Sequence, residues 1–162
     1  MGYQLIETIE VGSGGAASIE FTGIPQDGVD LAILLSIRNS SNTSDRIDYY
    51  LNGVAPSSAR VLRGSGSAVL SNTASTIYWT EQNNFTANTF ASAALYISDY
   101  TNSSAAKSIS IDAVSENVAT EAYQFMIAAL QNGTGAITSL RFDGTSAHVQ
   151  YSTASLYKIT AD

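Results

Sequence analysis

The feature that most constrains the fold is the spacing of short apolar segments along the whole chain. Stretches in which hydrophobic and polar side chains alternate are separated by clusters of Gly, Asn, Ser and Asp. "AKSISIDAV", for example, places Ile109 and Ile111 on one side and serines on the other. Alternation with a period of two is typical of a half-buried strand. The pattern therefore predicts an all-β fold, an antiparallel β-sandwich of about eight to ten strands.

Two apolar segments depart from simple alternation. "VDLAILLSIR" at 29–38 is nearly continuous in hydrophobic residues, which predicts a central strand covered on both faces. "AYQFMIAAL" at 122–130 fits a helical stripe of Tyr123, Met126, Ile127 and Leu130, but also one face of a strand. We favour the strand, because apolar residues also occupy the other face and strands flank the segment. A helix is the alternative.

The C-terminal region predicts two strands joined by a loop. "AITSLRF" at 136–142 and "HVQYSTASLYKI" at 148–159 are separated by "DGTSA". Chain ends fray unless something holds them, and the tyrosines and aliphatic residues of the last segment favour a strand inside a sheet. Earlier in the chain, Asn52-Gly53 predicts a tight hairpin turn.

Size and charge exclude several classes of protein. A chain of 162 residues and 17.0 kDa is expected to form one domain over 1–162. The net charge of −7 repels phosphate backbones and anionic lipids, so neither nucleic acid nor a membrane is a predicted partner. There is no cysteine, and "MGYQLIETIEV" has no secretion signal, so we expect synthesis in the cytosol.

No catalytic motif is present. Asp143, His148 and Ser152 are close in sequence, but a His and a Ser four residues apart on a strand lie ~13 Å from each other. Two carboxylate pairs, Asp45 with Asp48 and Asp27 with Asp30, belong to no recognisable motif. The glycine-rich segments lack the Gly-Lys-Ser/Thr ending of a phosphate loop. We therefore predict no catalytic residue, no metal site, no cofactor and no enzymatic activity.

Several aromatic residues are candidates for an interface because they fall at strand ends or near loops. An amphipathic ring in such a place suits a protein interface or a sugar platform. Two adjacent tyrosines in a strand must also point to opposite faces. The predicted interface residues are Tyr49, Tyr50, Tyr78, Trp79 and Tyr100.

Three segments resemble a pattern of small virion proteins of tailed bacteriophages. They are "YISDYTNSSAAKSISI" at 96–111, "AITSLRF" at 136–142 and "YSTASLYKIT" at 151–160. "AASIEFTGIPQDGVDLAILLSIR" is similar to the opening of that family. The family usually has Gly before the final Ile, whereas this chain has Lys158. The resemblance therefore does not predict how the side chains pack at the C-terminus.

The resemblance implies a jelly-roll-like sandwich on the surface of a virion. The implied function is that of a capsid cement or decoration protein, which binds the major capsid protein and assembles as a homotrimer. Its location would then be the capsid surface, after synthesis in the host cytoplasm. The alternative is a receptor-binding or carbohydrate-binding module of a tail fibre or spike, with Trp79 and neighbouring tyrosines as the sugar platform.

Overall fold

The computed structural model describes residues 2–41, 45–73, 79–80, 86–116 and 122–161. These residues form β-strands and no helix, so none of them belongs to a helix long and apolar enough to cross a membrane. Every strand pairing is antiparallel, which confirms the predicted fold class. The twelve strands are β1 (Gly2–Glu10), β2 (Ala16–Phe21), β3 (Asp30–Ile37), β4 (Asp45–Leu51), β5 (Ser58–Gly64), β6 (Val69–Thr73), β7 (Trp79–Thr80), β8 (Ala91–Ile97), β9 (Lys107–Glu116), β10 (Ala122–Gln131), β11 (Leu140–His148) and β12 (Thr153–Thr160).

The strands form two sheets of unequal size. The larger sheet has eight strands in the order β1-β12-β3-β8-β9-β10-β5-β6, and the smaller has four in the order β2-β11-β4-β7. Apart from β5-β6, β8-β9 and β9-β10, consecutive strands alternate between the two sheets. Eight of these strands, four in each sheet, follow the alternating order of a jelly roll: β1-β12-β3-β8 in the larger sheet and β2-β11-β4-β7 in the smaller. The predicted jelly-roll-like sandwich is therefore the observed fold.

Two hairpins extend the larger sheet beyond its four jelly-roll strands. β9 and β10 pair along their whole length, and β5 with β6 continues the sheet from the other side of β10. The strand interpretation of 122–130 is confirmed, because alternate side chains of β10 are buried. These two additional pairs also explain why the strand count exceeds the predicted eight to ten.

The hydrophobic core lies between the inner faces of the two sheets. The larger sheet contributes residues such as Ile33, Leu95 and Ile111, and the smaller sheet contributes residues such as Phe21 and Phe142. All of them are almost fully buried in one continuous cluster. Period-two alternation places these side chains on one side of each strand, so the sequence pattern builds the core directly.

β3 is central in the larger sheet, but the prediction that both of its faces are covered is wrong. The smaller sheet covers only its inner face, and Leu34 on the opposite face is 50% exposed. The continuous apolar run therefore marks a strand whose outer side chains are hydrophobic without being buried in this chain.

The C-terminal strand is held inside the larger sheet, between β1 and β3, as predicted. The single strand predicted at 148–159 is nevertheless wrong, because a turn at 149–152 separates β11 from β12. Tyr151 has φ of 70° in this turn, and Val11 hydrogen bonds to both Tyr151 and Ser152. The break is required because His148 belongs to the smaller sheet and Thr153 to the larger.

The predicted turn at Asn52-Gly53 is confirmed. Both residues have positive φ, and Leu51 and Val54 pair across them. The Asn52 side chain also accepts from the backbone N–H groups of Thr138 and Ser139, at 2.8 and 3.1 Å. This turn therefore ties the end of β4 to the segment that precedes β11.

Candidate functional site

The adjacent tyrosines of β4 point to opposite faces, as predicted. Tyr49 is buried in the core, where burial raises the pKa of its hydroxyl. Tyr50 is half-buried, and the guanidinium carbon of Arg141 lies 4.4 Å from its ring centre. For Tyr49 the interface prediction is corrected, because its side chain has almost no surface to offer. Tyr50 remains a candidate.

Tyr100 is also a core residue, which corrects its assignment to an interface. Its hydroxyl donates to the carbonyl oxygen of Pro25 and accepts from the N–H of Gly28 at 3.2 Å. A side chain at Gly28 would be crowded, since a Cβ there would lie 3.0 Å from Lys158 Cβ and from the Tyr100 hydroxyl. Tyr100 therefore fastens a loop to the core.

Of the other predicted interface residues, Tyr78 lies outside the described residues, and for Trp79 only its place in β7 is described.

His148 is fully buried at the end of β11. Its Nδ1 lies 2.8 Å from Asn39 Oδ1, and its Nε2 lies 3.2 Å from the Phe142 carbonyl oxygen. Burial lowers the pKa of His148, against the opposing effect of the Phe142 carbonyl and the carboxylates of Asp45 and Asp143. The histidine is thus enclosed by structural partners.

Ser152 and Asp143, the other two residues considered for a triad, have separate partners. Ser152 is buried and its hydroxyl donates to the Arg38 carbonyl oxygen at 3.2 Å. Asp143 forms an ion pair with Arg141 at 3.0 Å. The structure therefore gives His148, Ser152 and Asp143 three different environments.

The carboxylates singled out in the sequence serve local structure. Asp45 is buried and accepts from Asn39, the Arg46 N–H, Thr145 and Ser146. Burial opposes ionisation of Asp45, but these hydrogen bonds outweigh it, so its pKa is lowered. Among the described residues, no group of three or more His, Asp or Glu side chains is arranged to hold a metal ion.

The other predicted carboxylate pair is divided between two partners. Asp27 forms an ion pair with Lys158 at 2.6 Å, and Asp30 accepts from Tyr96 and from the Asp99 N–H at 2.5 and 2.8 Å. Lys158 is buried along its stem, so the residue that departs from the family pattern is well packed. The hydrogen bond to Asp30, with burial, raises the pKa of Tyr96 to about 12, which keeps the hydroxyl neutral.

The loop that carries part of the family resemblance is locked by a buried lysine, a residue that sequence reasoning did not single out. Lys107 donates to the carbonyl oxygens of Asn102, Ala105 and Thr134 at 2.6, 2.5 and 3.4 Å. Asn102 in turn accepts from the Ser104 N–H at 2.7 Å. The resembling residues therefore have a structural role in the connection between β8 and β9.

The most unusual surface is the face of the larger sheet that points away from the smaller one, here called the outer face. Directly paired residues of neighbouring strands point to the same side, so the register shows which side chains belong to it. Of the thirteen exposed large hydrophobic side chains among the described residues, nine lie on this face. They are Tyr3, Leu5, Leu34, Leu62, Val69, Tyr96, Val114, Met126 and Leu130.

A shallow groove of about 730 Å³ crosses the outer face. Small residues such as Ala32, Ala94 and Ala128 form its floor. Larger side chains from both ends of the sheet rise beside it, including Tyr3 and Met126. A sheet face over which no described strand packs thus combines small side chains with larger apolar ones.

Charge is scarce in the groove, although the chain carries a net charge of −7. The charged side chains that line it are Arg60 and Asp112. Each lies on the outer face by the pairing of its strand, opposite Ala128 and Met126 respectively. An apolar, nearly neutral surface of this kind is suited to contact with protein.

Sequence reasoning missed the outer face, although its signal was present. In β3 and β10, hydrophobic residues occupy both phases of the alternation, as with Leu34 beside Ile33 and Met126 beside Ile127. For β3 that excess led to the prediction of burial on both sides, whereas Leu34 on the outer side is exposed.

No protein-family model, curated protein or solved structure matches this chain.

Proposed function

We propose that this protein is a non-enzymatic structural component of a tailed-bacteriophage virion, a cement or decoration protein. It binds the outer surface of the capsid as a homotrimer, and its partners are copies of itself and the major capsid protein. The observation that carries this proposal is the outer face of the larger sheet. Nine exposed hydrophobic side chains on one uncovered sheet suit a protein whose work is to bury surface against other subunits.

The resemblance in sequence supports the virion setting. Its residues belong to the parts that make the jelly roll rigid, such as buried Tyr100 and Lys107 and the terminal strand β12. Jelly rolls occur in viral capsid domains as well as in lectins, so the fold is compatible with the proposal without selecting it.

The proposed mechanism is stabilisation by mass action. A protein that binds only the assembled shell lowers the free energy of that shell by its own binding free energy. A rigid binding surface limits the conformational entropy lost on docking, and the antiparallel pairing of all twelve strands provides that rigidity. The excess negative charge also keeps the protein off packaged nucleic acid.

The test is the thermal stability of particles with and without the protein. Particles that carry the wild-type chain are expected to release their genome at a higher temperature than particles that lack it. Leu34→Lys, on the outer face, should reduce this effect, whereas Val54→Lys should not, since Val54 is 56% exposed but lies outside that face. Equal release temperatures with and without the wild-type protein would contradict the proposal.

A second candidate is a carbohydrate-binding module of a tail fibre or spike. The specific observation in its favour is that Tyr3 and Tyr96 line the groove together with Arg60 and Asp112. Aromatic rings with a few polar groups can bind a sugar. Glycan-array binding that is lost in Tyr3→Ala, with unchanged particle stability, would favour this candidate over cement.

A further inference from the structure

We propose that the outer face of the larger sheet is the self-association surface, and that its occupant is a second copy of this chain bound head to tail. One half of the face, built from the strands β1-β12-β3-β8, contacts the opposite half of the neighbouring copy, built from β9-β10-β5-β6. The first is called the tyrosine half and the second the aliphatic half. This inference deepens the proposed function, because it names the surface that builds the oligomer.

The exposed area is large enough for such a contact. The nine exposed hydrophobic side chains together present on the order of 700 Å² at ~150 Å² for a whole large side chain. The largest apolar patch of a typical monomer is about 300–600 Å², and a stable interface buries about 800 Å² per partner. The outer face therefore exceeds what an isolated chain usually leaves exposed. A head-to-tail contact uses about half of this area on each copy, and a closed ring buries both halves of every copy.

The two halves differ in chemistry in a complementary way. The tyrosine half carries Tyr3, Tyr96 and Tyr157, all on the outer side by their pairing with neighbouring strands. The aliphatic half carries Leu62, Val69, Val114, Met126 and Leu130, and no aromatic side chain among its described residues. Rings pack well against aliphatic chains and against a methionine sulfur. Contact between unlike halves thus pairs rings with aliphatic groups.

Charge favours the same arrangement. On the tyrosine half the described ionised side chains are the carboxylates of Asp30 and Glu10, which face the outer side by their pairing with Ile159 and Thr153. On the aliphatic half the described ionised side chains are Arg60 and Asp112, which balance each other. Contact between two tyrosine halves would bring only carboxylates together, whereas a tyrosine half against an aliphatic half meets a surface of no net charge that includes the cation of Arg60.

Each head-to-tail contact leaves one half of each copy free, so the contact is heterologous, and such contacts close into rings when the rotation allows. Closure after three copies gives the homotrimer of the proposed function. In such a ring, Met126 of one copy can pack against the small side chains of Ala32 and Ala94 in the groove of the next.

The test is the mass of the purified chain in solution by light scattering or sedimentation. The wild-type protein is expected at three times 17.0 kDa at micromolar concentration. Met126→Lys and Leu62→Lys should weaken association at least tenfold, because they bury a charge in the contact. The matched control is Val54→Lys, since Val54 and Met126 are 56% and 58% exposed.

The tyrosine half is tested by Tyr3→Ser, with Tyr151→Ser as its control at a similarly exposed tyrosine outside the face. Only the first should lower the mass, and circular-dichroism melting checks that each variant folds. A monomeric wild-type chain, or a wild-type oligomer that both Met126→Lys and Leu62→Lys leave intact, would overturn the inference. No capsid is involved, so an oligomer that fails to stabilise particles contradicts the proposed function and leaves the inference standing.

Discussion

The two faces of the larger sheet are made by the same strands but have opposite surroundings. In β3, Ile33 is fully buried and the next residue, Leu34, is 50% exposed. In β10, buried Ile127 follows exposed Met126. The inner face packs against the smaller sheet, and no described strand packs over the outer face. The comparison teaches that hydrophobic content alone did not decide which face became the core.

The difference lies in what surrounds the large side chains. The inner face is apolar throughout, with alanines such as Ala93 among its Ile and Leu residues, whereas the outer face sets its large residues among serines as well as alanines, such as Ser110 and Ala94. Small side chains leave a low surface that another molecule can approach closely. The inner face thus stabilises the fold, and the outer face is available for contacts between molecules.

The largest expected effect separates the two faces within one strand. Ile33→Ala removes a buried side chain and leaves a cavity, which we expect to lower the free energy of unfolding by about 3 kcal/mol. Leu34→Ala, its neighbour, should cost less than about 1 kcal/mol, because its side chain is already half in water. Denaturant unfolding at low protein concentration measures both without a contribution from self-association.

The comparison between the faces would break if the two substitutions cost the same. Equal and large losses would mean that Leu34 is covered even in the single chain. Equal and small losses would mean that the inner face relaxes around the missing atoms and that Ile33 contributes little to the core.

A smaller effect is expected where a loop closes one end of the sandwich. Gly28→Ala would place a methyl group 3.0 Å from Lys158 Cβ and from the Tyr100 hydroxyl. Overpacking of this kind should cost about 1–3 kcal/mol. Gly12→Ala is the matched control, because a Cβ at Gly12 meets no atom within 4 Å. Thermal melting of the two variants sharpens the distinction between enclosed and open positions.

A Gly28→Ala variant as stable as Gly12→Ala would show that the Tyr100 ring moves aside at little cost. The loop fastened by Tyr100 would then be packed less tightly than the core, although Tyr100 itself is buried.

The sequence predicted most of the inner layer because alternation is a local property. The sides of β9 and β10 follow from period two alone, as does the opposite orientation of Tyr49 and Tyr50. Alternation could not show which side of β4 faces the core, since that depends on the smaller sheet. For the same reason, Tyr49 and Tyr100 were expected at an interface but are buried in the core.

Buried polar groups could not be predicted because their partners are far away in sequence. Asp45 is held by Thr145 and Ser146, about a hundred residues later, and His148 by Asn39, about a hundred residues earlier. Each residue alone has the sequence signature of a solvated loop. Only the fold brings the donors and acceptors together, and burial is then tolerated because the polar atoms have partners.

The smallest expected effect is a pH dependence at His148, a polar group enclosed on the inner side of the structure. Its pKa is lowered because burial penalises the imidazolium more than the nearby oxygens favour it. Above the unfolded-state value near 6.5, the histidine is neutral in both states and adds no pH dependence. As the pH falls below that value, the unfolded chain takes up a proton first, so the free energy of unfolding decreases by at most about 1.4 kcal/mol per pH unit.

The chain has one histidine, so the measurement is clean. Denaturant unfolding between pH 7.5 and about 5 should show this slope, and His148→Gln should remove most of it. A titration of the imidazole by nuclear magnetic resonance gives the folded-state pKa directly. Both ring nitrogens face oxygen atoms, Asn39 Oδ1 and the Phe142 carbonyl, and a neutral imidazole can donate from only one. A midpoint above 6.5 would therefore mean that these two acceptors, with Asp45 nearby, outweigh burial, and stability would then increase as the pH falls.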